Sequence, residues 1–366
     1  MKIVNTSLYY SYYLIISRRF FLCWLLIFVL IGNIFSQEEI LYKRSNWCGT
    51  FATKEDVEFV KGILNKTLKS TKTIDGFTYF RVQHHIVRDA SGNNGLSPSV
   101  IQGIMDYLNI AFFDAEVQFY TCNPVEIIDS DIYYSLDSFT EEASLRAAHN
   151  DPEAINIYYF NPLINGYWAY TYQNGSTNFI GIRNELAPNG STATHEMGHF
   201  FGLLHTFQGY SSPPNTSMEL VTRDSGKNCE TAGDCLCDTP ADPYIGANEV
   251  NTNCIYVGTA RDANNELYVP DVSNFMAYSR HSCRNNFSDG QIGIISAIAS
   301  STGKQGFIHK TTISNNSNLN GNTTDDFIIV DNSVVNSGSN VILEACQDIE
   351  ISNNFEVKAG ATFEAK

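Results

Sequence analysis

The sequence predicts an α+β fold with a mixed sheet, mainly because of the spacing of its apolar residues. Residues 77–87 alternate between apolar and polar side chains, as a strand with one buried face does. Residues 97–115 place apolar side chains every three or four positions, which predicts a long amphipathic helix. Further strand-like segments lie at 117–120, 155–160, 167–172 and 179–182, and a second long helix is expected from about residue 191. Helices and strands in this order favour an α+β layout.

The chain beyond the second helix predicts an irregular half and a small separate module. Residues 206–273 are rich in Gly, Asn, Asp, Pro and Cys, which favours loops held together by crosslinks. A last helix is expected at 288–299, so that residues 76–305 form one domain. A polar tract at 306–325 predicts a linker, and short alternating segments in 326–366 predict a small β module.

The first 36 residues have the pattern of an export signal. Arg18 and Arg19 precede an apolar run, and the small Ser36 stands before the predicted cleavage point at Gln37. The apolar run is about 12 residues long, whereas a membrane-spanning helix needs about 20. We therefore expect a signal peptide at 1–36 and a secreted or cell-surface protein with no stable membrane insertion. A retained membrane anchor is the alternative interpretation.

Charge and cysteine content agree with an exported protein. The formal net charge is −16, which argues against nucleic acid as a partner because phosphate contacts need a basic surface.

Five of the nine cysteines lie between Cys229 and Cys283, and in an oxidising compartment such a cluster predicts disulfides. Because five is odd, one cysteine of the cluster must pair outside it or stay free.

One segment, HEMGHFFGLLH beginning at His195, contains histidines at the spacing of metal ligands. On a helix His195 and His199 share one face a turn apart, so both imidazoles can bind one zinc ion. Gly202 can adopt a positive φ and end the helix, which lets His205 complete a three-histidine site. Three protein ligands leave a fourth position for water, and Glu196 is placed to accept a proton from that water. The spacing therefore predicts a catalytic zinc site.

The full motif HExxHxxGxxH resembles the signature of the metzincin metallopeptidases. That resemblance implies a tight turn further along the chain, whose methionine forms an apolar floor below the metal. The segment SNFMAY, which contains Met276, fits this turn. Tyr278 then stands where several metzincin families place a tyrosine that can hydrogen-bond the oxyanion of the transition state.

Further segments are similar to the pappalysin (cytophagalysin-like) family of metzincins. HTFQG, GDCLCDTPA and FSDGQ occur in the family's order, and the similarity covers roughly residues 77–300. It implies a zincin fold in which a cleft separates an upper sheet-and-helix half from a lower irregular half. It also implies endopeptidase activity on protein or peptide substrates.

Two family properties are carried over to particular residues. Relatives bind calcium near the GDxxxDTP segment, which makes Asp234, the Cys237 carbonyl and Thr239 the candidate ligands here. In the alternative interpretation, Asp234 and Asp238 only cap turns. Members that prefer basic substrates carry an acidic residue shortly after the methionine turn. The corresponding stretch around Ser282 has no acidic residue, which argues against that preference.

Cys48 lies in the polar segment before the predicted catalytic domain. Latent metzincins, including relatives in this family, use such a cysteine thiolate to occupy the fourth zinc position. We therefore expect residues 37–75 to be a propeptide with Cys48 as a cysteine switch. A disulfide between Cys48 and Cys122 is the alternative interpretation.

The C-terminal segment of the chain resembles a known type of β module. The final segment, FEVKAGATFEAK, resembles β-stack segments of secreted Bacteroidetes proteins, which implies that this module retains the enzyme at the cell surface or helps its export. The preferred function is a zinc endopeptidase made as a zymogen. The alternatives are a binding protein that has lost catalysis and an enzyme that cuts only its own propeptide, although the intact Glu196 argues against the former.

Overall fold

Six α-helices and twelve β-strands form the part of the chain that the computed structural model describes, which is residues 48–67, 76–210, 218–352 and 354–366. The helices are α1 (Lys54–Thr67), α2 (Ile101–Ala111), α3 (Asp131–Tyr134), α4 (Phe139–His149), α5 (Ser191–Phe200) and α6 (Asp289–Ala299). The strands are β1 (Thr78–Arg88), β2 (Val117–Tyr120), β3 (Glu126–Asp129), β4 (Ile155–Phe160), β5 (Ala169–Thr171), β6 (Phe179–Arg183), β7 (Lys310–Ser314), β8 (Gly321–Asp331), β9 (Val334–Val335), β10 (Asn340–Ile351), β11 (Glu356–Val357) and β12 (Thr362–Ala365). None of the helices described is long and apolar enough to cross a bilayer.

Part of the predicted N-terminal region lies outside the described residues. This applies to the whole predicted signal peptide, 1–36, and to residues 37–47 and 68–75 of the predicted propeptide. The remaining propeptide residues include α1, whose helical pattern the sequence indicates.

A mixed sheet forms the upper half of the main domain, as the sequence predicts. The strand order is β2-β1-β4-β6-β5, and β3 also pairs with β1. All neighbours are parallel except β5, which runs antiparallel to β6. Every residue of β4 is buried, because this parallel strand is covered on both faces, and Asn156 is its one amide side chain among aliphatic and aromatic residues. The antiparallel β5 ends this sheet and leaves one strand edge for another chain segment.

The main core lies between this sheet and helices α2, α5 and α6. It contains Ile104 and Leu108 of α2, two of the positions that the helical spacing predicts to be apolar and buried. The structure differs from the predicted helix at 97–115, because the α-helix covers only 101–111 and short 3-10 turns flank it. Helix α6 begins as expected after Ser288, whose hydroxyl accepts a hydrogen bond from the Gln291 amide.

The lower half is irregular and crosslinked, as predicted. Residues 218–283 contain no α-helix and no named strand. Disulfides join Cys229 to Cys237 and Cys254 to Cys283, while Cys235 is buried and free. These crosslinks take over part of the stabilisation that a regular hydrogen-bonded core would otherwise supply.

The C-terminal module is a small parallel β-coil. Strands β7, β8, β10 and β12 form one parallel sheet, and β9 pairs with β11 in a second. Apolar side chains point between the layers, among them Ile328, Val330 and Leu343. The structure differs from the predicted linker at 306–325, which contains β7 and the first residues of β8. Its polar residues still form strands, because a coil of this kind buries only every second side chain.

A disulfide and an ion pair are among the contacts that fasten the module to the main sheet. Cys122, which follows β2, forms a disulfide with Cys346 of β10. The Asp326 carboxylate accepts two hydrogen bonds from the Arg81 guanidinium, at 2.6 and 2.7 Å, and one from the Tyr120 hydroxyl at 2.8 Å. The module is therefore joined to β1 and β2 by a covalent bond and by a largely buried ion pair.

Removing the Asp326 carboxylate should destabilise the chain, because the Arg81 guanidinium then keeps only the more distant carboxylates of Asp151, at 3.8 Å, and Glu153, at 3.5 Å. We expect Asp326→Ala to lower the free energy of unfolding by about 2 to 4 kcal/mol, measured by urea denaturation. Asp325→Ala is the matched control, since that half-buried carboxylate accepts a hydrogen bond from Thr311 and should cost less than about 1 kcal/mol. Equal losses in the two variants would contradict the role given to the Arg81–Asp326 pair.

Candidate active site

The zinc motif lies on helix α5 and on the turn that follows it. Helix α5 carries His195 and His199 on one face. Gly202 then has a φ of +86°, which glycine adopts without the steric cost of a Cβ atom. The reversal brings His205 back to the helix, so that its Nε2 atom lies 3.2 Å from Nε2 of His195 and 3.1 Å from Nε2 of His199. The structure thus brings together the three histidines that the spacing predicts as ligands.

Hydrogen bonds orient the imidazoles towards one point. Nδ1 of His195 donates to the Phe275 carbonyl at 2.7 Å, and Nδ1 of His199 donates to the Leu203 carbonyl at 2.8 Å. Both hydrogen bonds leave the Nε2 lone pair facing the shared centre. Burial lowers the pKa of all three imidazoles, to about 4 for His199, so the rings are neutral. Converging lone pairs repel one another without a cation between them, so this donor set fits a zinc ion.

Glu196 is buried directly beside the histidines. Its Oε2 atom accepts a hydrogen bond from the Thr50 hydroxyl at 3.1 Å and lies 3.6 Å from the Cys48 sulfur. Burial raises the pKa of Glu196 to about 8. A carboxyl group in this environment can accept and release a proton near neutral pH, which general acid–base chemistry requires.

The predicted methionine turn passes under helix α5. Met276 is fully buried, and its amide donates to the Asn274 side chain at 2.9 Å. A Cβ atom at Gly198 would lie 2.6 Å from the Met276 sulfur, so only glycine fits there without movement. The turn therefore packs against the middle of the helix that carries two of the three histidines.

Tyr278 extends from this turn into the same centre. The centre of its ring lies 5.0 Å from that of His205, and its hydroxyl donates to the Cys48 carbonyl at 3.3 Å. Burial, then the nearby Cys48 thiol, raises the pKa of Tyr278 well above its ordinary value. The phenol therefore keeps its proton and remains a hydrogen-bond donor.

The segment beginning at Cys48 occupies the cleft. The Cys48 sulfur and the ring nitrogens of the three histidines all lie within 4.8 Å of one another. The Gly49 amide donates to the Ala169 carbonyl at 2.9 Å, and the Thr171 amide donates to the Thr50 hydroxyl at 2.9 Å. Residues 48–50 thus lie along the free edge of β5, and Cys48 pairs with it in parallel orientation.

The alternative disulfide for Cys48 is excluded, because Cys122 pairs with Cys346 and Cys48 is free. Burial, then the neighbouring Glu196, raises the pKa of the Cys48 thiol well above its ordinary value. A metal ion in the site would reverse this effect, because coordination deprotonates a thiol.

The candidate calcium residues lie apart from the histidines, in the lower half. Asp234 Oδ1 accepts hydrogen bonds from the Leu236 amide and the Thr239 hydroxyl, whereas Asp234 Oδ2 is buried without a partner. Oε2 of the buried Glu219 also lacks a partner. Cys237, whose carbonyl was the third candidate, has its side chain in a disulfide. Glu219 is an additional carboxylate that the sequence motif does not mark.

Two residues near the histidines were not expected from the sequence. Thr50 contacts both Glu196 and β5, yet no motif distinguishes it from other threonines. Arg284 is buried beside the start of α5, where its Nη2 atom lies 3.3 Å from the Ser191 hydroxyl. The basic character of residues 279–282 pointed to this region but not to Arg284 itself.

Comparisons with known proteins find relatives of this chain among metallopeptidases. A family model described as Pregnancy-associated plasma protein-A matches residues 169–299. A protein named extracellular metalloprotease from Arthroderma benhamiae is 28% identical over 234 residues, which is 59% of this chain and 68% of that protein. Another of that name, from Verticillium alfalfae, is 30% identical over 213 residues, 54% of this chain and 67% of the relative.

Among solved structures, a promirolysin mutant from Tannerella forsythia has a similar fold. The TM-score is 0.50 at 16% identity, and the match covers 72% of this chain and 97% of that one. At this identity the likeness concerns the fold, which agrees with the arrangement of sheet, helices and irregular half described above.

Proposed function

This chain belongs to the pappalysin family of zinc metallopeptidases, and we propose that it is a secreted endopeptidase made in a latent form. The observation that carries the proposal is the convergence of three neutral imidazoles beside a buried carboxyl group. Action outside the cell is supported by the extracellular relatives and by the signal-like pattern of residues 1–36.

In this proposal His195, His199 and His205 hold zinc, and Glu196 is the general base. Zinc held by these residues would supply a Lewis acid for the substrate carbonyl and would lower the pKa of water towards about 7. Glu196 takes a proton from the attacking water and returns it to the leaving amine. The Tyr278 hydroxyl donates to the oxygen that becomes negatively charged, once the Cys48 carbonyl has left.

The substrate would bind as an extra strand on the edge of β5. Support comes from residues 48–50, which already form backbone hydrogen bonds with that edge. An extended peptide can replace them by backbone pairing in either orientation, because a strand edge offers amide and carbonyl groups to any extended chain. Removal of the propeptide is therefore the step that opens the cleft.

Cleavage of a peptide library by the activated, propeptide-free protein tests this function. We expect the protein to bind about one zinc ion, to cut internal peptide bonds, to lose activity on chelation and to regain it when zinc returns. A protein that binds zinc and cuts no peptide would contradict the proposal, and a binding role or cleavage of its own propeptide alone would then have to be tested.

A latent state is proposed because Cys48 lies where a fourth zinc ligand would be. Its sulfur is the only cysteine sulfur among the described residues that groups with the three histidines. A thiolate there excludes the water that the reaction needs, and the hydrogen bonds of Gly49 and Thr50 hold the segment in place. Residues 37–75 are accordingly proposed to be a propeptide.

We also propose calcium at the buried Asp234, with Thr239 and the Cys237 carbonyl as the other ligands suggested by the motif. The structure adds Glu219, since both carboxylates are buried and each has an oxygen without a partner. Two buried carboxylates at one place are unfavourable unless cations or protons neutralise them, and the Arg223 guanidinium, 2.7 Å from Oε1 of Glu219, supplies only one positive charge. That requirement is what supports a cation at this site.

Calcium should stabilise the protein in a pH-dependent way. Burial raises the pKa of Asp234 to about 7, and burial together with Asp234 raises the pKa of Glu219 to about 9. Because these folded-state values lie above the unfolded ones, the stability that the bound protons contribute is complete below about pH 4 and is lost as pH rises through about 7 and 9. We therefore expect calcium to raise the melting temperature near pH 8 but not near pH 5.

Asp234→Asn should abolish this calcium effect, because it removes a ligand charge. Asp238→Asn is the matched control: this carboxylate accepts a hydrogen bond from the Gly290 amide and should leave the calcium response intact. If calcium shifts the melting temperature of neither the wild type nor the control, Asp234 only caps its turn, through Leu236 and Thr239.

The C-terminal module is proposed to retain the enzyme at the cell surface. The proposal is supported by its resemblance to β-stack segments of secreted proteins and by the separate sheet that begins at Lys310. A chain ending before Lys310, with Cys122→Ser to avoid a free thiol, should appear in the medium instead of the cell fraction. An unchanged distribution would rule out retention through this module.

A further inference from the structure

Arg284 has a buried guanidinium group next to the zinc-binding helix. The residue is 3% exposed, and its Nη2 atom donates to the Ser191 hydroxyl and to Nδ1 of His281. Ser191 is the first residue of α5, one helical turn before His195. The positive charge therefore lies about one helical turn away from a proposed zinc ligand.

This charge lacks an acidic partner in direct contact. Within the described ranges no aspartate or glutamate forms an ion pair with Arg284, although the Glu196 carboxyl group acts on it electrostatically, and the Arg284 Nε atom has no hydrogen-bond acceptor. Several other arginines of the main domain have acidic partners in direct contact, for example Arg81 with Asp326 and Arg146 with Glu142. Burial of an unpaired guanidinium is costly, because the lost hydration is not replaced.

The surroundings of Arg284 favour an anion. The N-terminal end of α5 carries a partial positive charge from the helix dipole, and Arg284 adds a full charge at the same end. His281 is neutral, since burial and then Arg284 lower its pKa to about 3, and so it can accept the hydrogen bond from Arg284. Burial also lowers the pKa of Arg284 to about 10, which leaves it charged at neutral pH.

The position of Arg284 relative to β5 indicates which part of a substrate would reach it. His281, which contacts Arg284, is stacked on Trp168 with ring centres 6.0 Å apart, and Trp168 directly precedes β5. A substrate that pairs with β5 in antiparallel orientation, the more stable arrangement per residue, runs towards Trp168 as it leaves the zinc centre. The residues after the cleaved bond therefore pass the side of the cleft where Arg284 lies.

We propose that Arg284 determines substrate specificity by binding an aspartate or glutamate side chain on the carboxyl side of the cleaved bond. A carboxylate would form a fork-shaped pair of hydrogen bonds with the guanidinium and supply a countercharge in direct contact. This inference rests on the proposed peptidase function of the same site. It also accounts for the absence of an acidic residue in the stretch around Ser282.

A matched peptide series tests the inference. The full chain, after activation, is given peptides that differ only in the residue after the cleaved bond: Asp, Glu, Ala or Lys. We expect kcat/KM for Asp or Glu to exceed that for Ala by about tenfold and that for Lys by about a hundredfold. Arg284→Gln should reduce kcat/KM for the Asp and Glu peptides to the value for the Ala peptide. The kcat/KM for the Ala peptide should stay within about threefold of the wild-type value.

Control variants separate specificity from a structural role. Arg284→Lys keeps the charge but loses the fork and should give an intermediate preference. Arg280→Gln removes a nearby guanidinium whose Nε donates to the Val250 carbonyl, and the acidic preference should persist. An equal loss for all peptides in Arg284→Gln would overturn the specificity role.

The wild-type series is informative even if the Arg284 variants do not fold. Cleavage of all four peptides at similar rates would overturn the inference while leaving the peptidase function intact. Cleavage of none by the zinc-loaded protein would instead contradict the proposed function.

Discussion

Glu196→Gln should lower kcat for peptide cleavage by about 10³-fold, because the amide cannot accept the proton of the attacking water. The glutamine has nearly the same shape and can still accept a hydrogen bond from Thr50, so the fold should not change. Glu196 is not one of the three proposed zinc ligands, which are all histidines, and the zinc content should therefore stay at about one ion per chain. Activity and zinc content are measured on the same preparations.

Glu185→Gln provides the control for this experiment. Glu185 precedes the zinc-binding helix, is largely exposed and pairs with Arg183, so its loss should leave cleavage and zinc binding unchanged. A Glu196→Gln variant that keeps more than about a tenth of the wild-type rate would refute the assignment of Glu196 as general base. A variant without zinc would instead show that the substitution disturbs the site itself.

Cys48→Ala should make the precursor active without any cut in the propeptide. The thiolate is expected to be the strongest single contact of the segment with the zinc site, whereas Gly49 and Thr50 contribute hydrogen bonds to β5 and Glu196. We expect the rate of the intact precursor to rise from below about 1% of the mature rate to above about 10%. Rates are measured on freshly purified precursor, with its length verified by mass spectrometry.

Cys235→Ala is a close control for Cys48→Ala. Cys235 is the other free, buried cysteine among the described residues, and it lies in the lower half near the candidate calcium residues. Its loss should not relieve latency. A precursor that stays latent in Cys48→Ala would show that Cys48 is not required for latency, leaving the pairing of residues 49–50 with β5 as the remaining contact.

The three histidines could be predicted from sequence because their geometry is mostly local. His195 and His199 share a face on any α-helix, and Gly202 marks the point where the helix can end. The same holds for helix α6, which the Ser288 cap and an apolar repeat indicate. Such features depend on backbone geometry over a few residues, so no knowledge of distant contacts is needed.

Contacts between distant parts of the chain could not be predicted from local sequence patterns. The pairing of Cys122 with Cys346 spans 224 residues, and nothing near either cysteine indicates its partner. The predicted linker at 306–325 contains strand β7, because its polar residues find partners only when the coil of the C-terminal module forms. Position in sequence does not reveal which edge a strand will meet.

The sequence alone determined the class of chemistry. A helix with two histidines, followed by a glycine turn and a third histidine, is typical of a catalytic zinc site, because such a site needs three protein donors and one free position for water. The tertiary structure alone decided what surrounds that chemistry. It places Cys48 along β5 beside the histidines, Glu219 near Asp234, and an unpaired Arg284 at the start of α5. Burial and charge pairing depend on which distant segments pack together, and the proposals on latency, ion binding and substrate preference rest on these properties.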